Sequence, residues 1–130
     1  MKRPEQDEQI ALMRWAILVQ VGEWKLSDLL WHYPAGGWRS PAEAAIFKAM
    51  GTQDGVPDLV LPIANETYIG GWWELKAGRN QCTPSQVEKH ALLRRLGHYV
   101  QTYWHWHEAA QDIVRYLRTS KYTIIERARL

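Results

Sequence analysis

Apolar and polar positions recur with two different periods along this chain, and the switches between them lay out an order of elements. Over residues 6–21 the side chains Ile10, Met13, Ile17 and Val21 are spaced 3, 4 and 4 apart, which is one stripe of an amphipathic helix. The stretch from Gly22 to Arg39, with a proline and the pair Gly36-Gly37, reads as irregular, with a short helical turn near 26–31. SPAE at 40–43 puts Ser40 at an N-cap, Pro41 at the first helical position and Glu43 at the third, a capping box. The helix it opens is expected to run through Ala45, Ile46 and Ala49 and to stop at Gly51. TPSQ at 83–86 repeats the device, and its helix should end at Gly97. A last helix, from about His107 to Arg118, would bury Ala109, Ala110, Ile113, Val114 and Leu117.

Candidate strands lie at 58–63, 69–76 and 98–104. The first two are joined by Ala64-Asn65-Glu66-Thr67 and read as an antiparallel hairpin. The order helix, helix, strand, strand, helix, strand, helix implies an α/β fold with one mixed β-sheet flanked by helices. A length of 130 residues without repeats or a linker is that of a single domain. The tail at 119–130 is compatible with a last strand, an extended arm or a disordered segment.

Composition narrows this picture. With 46% apolar and 23% charged residues, and no run near the ~20 apolar residues of a membrane span, the chain reads as a globular protein with no membrane partner. The N-terminal MKRPEQDEQ does not lead into a secretion signal, so a cytoplasmic location is expected. Cys82 is the only cysteine, which rules out an internal disulfide. A net charge of +2 is too small to identify a nucleic-acid binder. Basic residues do cluster, with Lys76, Arg79, Lys89, Arg94 and Arg95 in one span and Arg115, Arg118, Lys121, Arg127 and Arg129 near the end. Most of the eight tryptophans are expected in the core, with Trp24, Trp31 and Trp38 as candidates for an exposed interface.

The unusual chemistry is in the hairpin. Side chains alternate along a strand, so Trp72, Glu74 and Lys76 share one face, and Trp73 and Leu75 the other. If the hairpin turns about residue 66, Asp58 comes to lie opposite Glu74, with about 4.5–5.5 Å between their Cβ atoms. Two neighbouring carboxylates repel unless a proton or a cation lies between them, and a hard ion such as Mg²⁺ takes oxygen ligands of this kind. The ammonium of Lys76 could then orient a metal-bound water or steady a phosphate in the transition state. An ordinary strand-end ion pair is the competing explanation. His105-Trp106-His107 puts two histidines at metal-ligand spacing, but no third ligand is evident.

These residues carry a resemblance. Pro57-Asp58 and Glu74-Leu75-Lys76 match the PD-(D/E)xK nuclease pattern. The fuller run is Gly36-Gly37-Trp38-Arg39, Glu43-Ala44-Ala45, Lys48-Ala49-Met50-Gly51, Gly55-Val56-Pro57-Asp58-Leu59, Glu74-Leu75-Lys76, Gly78-Arg79, Thr83-Pro84-Ser85-Gln86 and Leu96-Gly97. It resembles the virus-type replication-repair nuclease family, VRR-NUC, in its small phage-type form, over roughly residues 6–118. The resemblance implies a restriction-endonuclease-like core, Mg²⁺ as cofactor with Mn²⁺ able to substitute, and structure-dependent DNA cleavage. It further implies Asp58, Glu74 and the Leu75 carbonyl as metal ligands, Lys76 as the helper of the attacking water, and Gln86 near the active site or the DNA backbone. The family's acidic residue from the first helix corresponds to Glu8, with Glu43 as a rival already explained by its capping box.

Arg39, Lys48, Arg79 and Lys89 are candidate phosphate contacts that position rather than read DNA. The expectation is a Mg²⁺-dependent endonuclease acting as a homodimer on branched DNA, in particular four-way junctions. Competing readings are a monomeric nuclease of flaps, duplex or single strands, and a DNA- or protein-binding module without catalysis.

Overall fold

The computed structural model describes residues 4–34 and 39–127. The Gly36-Gly37-Trp38 part of the motif run and Arg129 lie outside them. The elements are α1 (Pro4–Ala16), β1 (Val19–Val21), β2 (Trp24–Lys25), α2 (Leu26–Leu29), β3 (Trp31–His32), α3 (Pro41–Ala49), β4 (Leu59–Leu61), β5 (Gly71–Leu75), α4 (Pro84–Arg95), β6 (Tyr99–Tyr103), α5 (Trp106–Arg118) and β7 (Ile124–Glu126).

The capping box expected at α4 is complete, whereas at α3 only its Ser40 half forms. Ser40 accepts from the Glu43 N–H at the start of α3, and Thr83 and Gln86 close a complete capping box at the start of α4. All five residues expected to be buried on α5 are buried, joined by Asp112 and Tyr116. The N-terminal helix departs from expectation. It ends at Ala16, and Ile10 and Ile17 are exposed, while Leu12, Trp15 and Ala16 face the core. Met13 of the expected stripe still packs against the core, but Leu12, Trp15 and Ala16 lead the packed face, and Trp15 covers more apolar surface than any residue of the other stripe.

Residues 19–21 are a strand because Gly22-Glu23 makes a two-residue turn. Gly22 has φ +59, and Val21 pairs with Trp24. Such a turn needs a residue that tolerates positive φ, and glycine does so without strain. Strand β7 pairs antiparallel with the other edge of β1, which makes residues 124–126 of the tail a last strand.

Two sheets therefore replace the single one expected, a three-stranded β2-β1-β7 and a four-stranded β3-β4-β5-β6. In the larger sheet β3, β4 and β5 are antiparallel, while β5 and β6 are parallel, joined through α4. Antiparallel strands can be linked by a tight turn, whereas parallel neighbours require a crossover.

One side of β5 is locked to α5. Trp73 is fully buried, meets Tyr116 edge-on at 5.5 Å between ring centroids, and donates its indole N–H to Asp112 Oδ2 at 3.0 Å. The Tyr99 hydroxyl and the Arg115 guanidinium also bond to Asp112, so this buried carboxylate is fully partnered. Such a network fixes the tilt of β5, and with it the direction in which Glu74 points. The tryptophans are less buried than expected. Among the described residues only Trp15 and Trp73 are core, while Trp24 and Trp31 are exposed. No described helix is long and apolar enough to cross a membrane.

Candidate active site

The hairpin register is the one its turn predicted. Leu59 pairs with Trp73, Val60 with Trp72 and Leu61 with Gly71. One step further along the ladder sets Asp58 against Glu74. The Leu75 N–H donates to Asp58 Oδ2 at 2.9 Å, tying the aspartate to the strand that carries the glutamate. Backbone contacts fix Asp58 from the other side. Its carbonyl accepts from the Tyr33 N–H at 2.8 Å and from His32 Nδ1 at 3.0 Å. Since a carbonyl only accepts, the His32 proton sits on Nδ1.

Burial dominates the electrostatics. Glu74 is 2% and Lys76 7% exposed, although both types are rarely buried unless paired. Burial pushes the Asp58 carboxyl from its ordinary 3.8 up to about 7, the adjacent Glu74 adds to this, and the Leu75 N–H opposes it. Glu74 is also raised, again mainly by burial, with the contact to Asp58 and the Lys76 charge pulling it back. A buried carboxyl and a half-buried one in contact hold a proton, or a cation, between them.

Of the residues that the sequence nominated, Asp58, Glu74 and Lys76 come together. Glu8 is engaged elsewhere, because its Oε2 accepts from the Trp106 N–H at 2.8 Å and so caps α5. The α1 carboxylate whose charge adds to the raising of Glu74 is Glu5, one turn earlier, which also accepts from Asn80 Nδ2 at 3.1 Å. Glu43, the rival, sits on the first turn of α3, its N–H donating to the Ser40 hydroxyl. Gln86 spends its amide oxygen on the Thr83 N–H at 2.8 Å, so its structural role is the cap.

Arg39 and Lys48 line an open groove of about 690 Å³ with Ala44, Phe47, Gln53 and Asp54, and the Arg39 guanidinium lies over the Phe47 ring. Lys89 reaches this groove's rim by donating to Gln53 Oε1. Arg79 is exposed, in the turn that follows Lys76 and the end of β5. His105 and His107 stack on each other at 5.7 Å between ring centroids.

Sequence reasoning missed His90. It is the one buried residue of α4, and its Nε2 lies 3.4 Å from Glu74 Oε1. Burial, with Arg94 and Lys76 nearby, pushes its pKa down.

The donors fit a hard cation. Asp58 and Glu74 offer carboxylate oxygens at opposed strand positions, and the described residues contain no group of three His, Cys, Asp or Glu side chains arranged to share one ion. Mg²⁺ is commonly held by one or two carboxylates while keeping several waters, so this oxygen-only pair suits it better than a closed protein cage would.

No family model and no curated protein matches the chain. A solved structure described as a VRR_NUC domain protein does match, with a TM-score of 0.80 and 28% sequence identity over 92% of each chain.

Proposed function

We propose that this chain, which belongs to the VRR-NUC family of nucleases, is a divalent-metal-dependent DNA endonuclease that works inside the cell on branched DNA, four-way junctions first among them, as a homodimer. The observation that carries the catalytic part is the opposition of Asp58 and Glu74 across the hairpin, with Lys76 next on the Glu74 face.

Asp58 and Glu74, with the Leu75 carbonyl, would hold one or more Mg²⁺ or Mn²⁺ ions. Such an ion supplies an activated water and offsets charge on the phosphoryl oxygens. Lys76, buried beside Glu74, would orient the attacking water and stabilise the negative charge that builds in the transition state. Glu5 adds a negative charge near enough to raise the Glu74 pKa, which favours a cation there. Arg39 and Lys48, in the groove beside α3, and Lys89 and Arg79 further along the surface, provide phosphate contacts.

The dimer reading is supported by α3. None of its residues is buried, and Ile46 and Met50 next to its C-terminus are 59% and 75% exposed. A nine-residue helix gains most of its stability by packing an apolar face. A second copy would provide that packing, and two active sites on a two-fold axis suit the symmetric strands of a four-way junction.

The test is cleavage of labelled four-way junction, flap, duplex and single-stranded DNA in Mg²⁺, run alongside light scattering on the eluting protein. The expected result is a dimer that cuts the junction in preference to duplex. A monomer that cuts flaps or duplex equally well would refute both the symmetry and the substrate.

A further inference from the structure

Helix α4 has an inverted burial pattern. Val87 and Leu92, and Leu96 at its C-cap, are exposed by 47–59%, while the one side chain it buries is His90, at 4%. Burying an imidazole costs free energy unless it finds a hydrogen-bond partner. A helix chosen for packing alone would turn an apolar residue inward here. The sheet face that receives His90 is the Glu74 face, and Glu74 Oε1 is within 3.4 Å of its Nε2.

The position of α4 is set independently of this contact. The Thr83–Gln86 capping box fixes its first turn, and the loop before β4 packs so tightly on that turn that a Cβ at Gly55 would come within 2.1 Å of the Ser85 carbonyl oxygen. His90 lies four residues after Gln86, one helical turn on and on the same side. Cap, loop and histidine thus form one rigid support against which the carboxylate of Glu74 rests.

We propose that His90 is a positioning residue for the metal site: its imidazole N–H donates to Glu74 and holds that carboxylate in the orientation that receives the cation. This rests on the metal-dependent reading above. Carboxylates that ligate metals are themselves held by hydrogen bonds, and removing such an outer partner commonly costs about 10–100-fold in metal affinity. His90 touches neither DNA nor the water. It acts through Glu74.

The test is Mn²⁺ binding by calorimetry, without DNA, to the wild-type chain and to His90→Leu and His90→Gln, with melting temperatures recorded in EDTA. Leucine fills the site but cannot donate, whereas the glutamine amide can. His90→Leu is expected to bind Mn²⁺ about 10–100-fold more weakly with no loss of melting temperature in EDTA, and His90→Gln to recover most of the affinity. Equal affinity in His90→Leu and wild type would overturn the inference while leaving the metal site standing, and so would a His90→Gln as weak as the leucine variant. Absence of Mn²⁺ binding by the wild type would overturn the metal-dependent reading itself, and this inference with it.

Discussion

Asp58→Asn should abolish DNA cleavage and at the same time raise the melting temperature of the metal-free protein at pH 8. The two effects share one cause. Asp58 is held against Glu74 in a partly buried position, and desolvation there together with the neighbouring Glu74 lifts its pKa from 3.8 to about 7. In the unfolded chain the group ionises near its ordinary value, so between pH 4 and 7 the folded state binds the additional proton. This group's contribution to stability is therefore fully present below about pH 4 and is lost as pH rises through 7. At pH 8 the wild type must fold with a desolvated, repelled carboxylate, a cost on the order of 1–3 kcal/mol. Asparagine keeps an oxygen for the Leu75 N–H and carries no charge, so the variant escapes that cost and melts several degrees higher. The advantage should fade on acidification toward pH 4. It should also reverse when millimolar Mn²⁺ is added, because an ion that binds only the folded wild type stabilises it by mass action. A variant less stable than wild type in EDTA at pH 8 would show that the two carboxyls are not in conflict.

Gly55→Ala is expected to be the most damaging alanine substitution among the described glycines. Gly55 has φ +83, and an added Cβ would lie 2.1 Å from Ser85 O and 2.4 Å from Ser85 C, both backbone atoms of the capped first turn of α4. Backbone at a helix start cannot swing aside as a side-chain tip can, so the loop itself must move. The expected loss is about 3 kcal/mol or more, from strain at positive φ plus overpacking. Asp58 is only three residues further on, and cleavage should fall with stability. Gly78→Ala is the control, with φ +58 and nothing within 4 Å of the added carbon. It should cost only about 1–2 kcal/mol. Thermal melts of the two variants decide the matter, and equal melting temperatures would mean that the contact between loop and α4 does not hold Asp58 in place.

These two sites also mark what could be read before the fold was in view. The pairing of Asp58 with Glu74 followed from strand alternation and a turn centred on residue 66, since both are local rules and the observed register obeys them. The caps of α3 and α4 were legible for the same reason. His90 was not, because nothing in TPSQVEKHALLRRLG says which side of the helix meets the sheet, and its apolar residues point to the wrong side. Glu8 was expected at the site from its place in the first helix; its carboxylate accepts from the Trp106 N–H, and the α1 charge that bears on Glu74 is that of Glu5, one turn earlier. The stripe through Ile10 and Ile17 suggested a helix longer than the real one, which stops before the Gly22-Glu23 hairpin. The pattern of α3 correctly indicated a helix, yet periodicity cannot tell whether an apolar face is covered by its own chain or by another. Strand β7 forms only through pairing with β1, more than a hundred residues earlier in sequence, a distance over which local patterns carry no information.

The most direct measurement is the cleavage rate of a labelled four-way junction by wild type and Lys76→Ala, in Mg²⁺ and in EDTA. Lys76 is buried beside Glu74, and its removal should leave folding and metal binding largely in place while taking away charge stabilisation. The expected result is cutting by wild type in Mg²⁺, none in EDTA, and a rate at least about 100-fold lower for Lys76→Ala. Cutting that persists in EDTA, or a Lys76→Ala protein as fast as wild type, would contradict a metal-dependent site built on Asp58, Glu74 and Lys76.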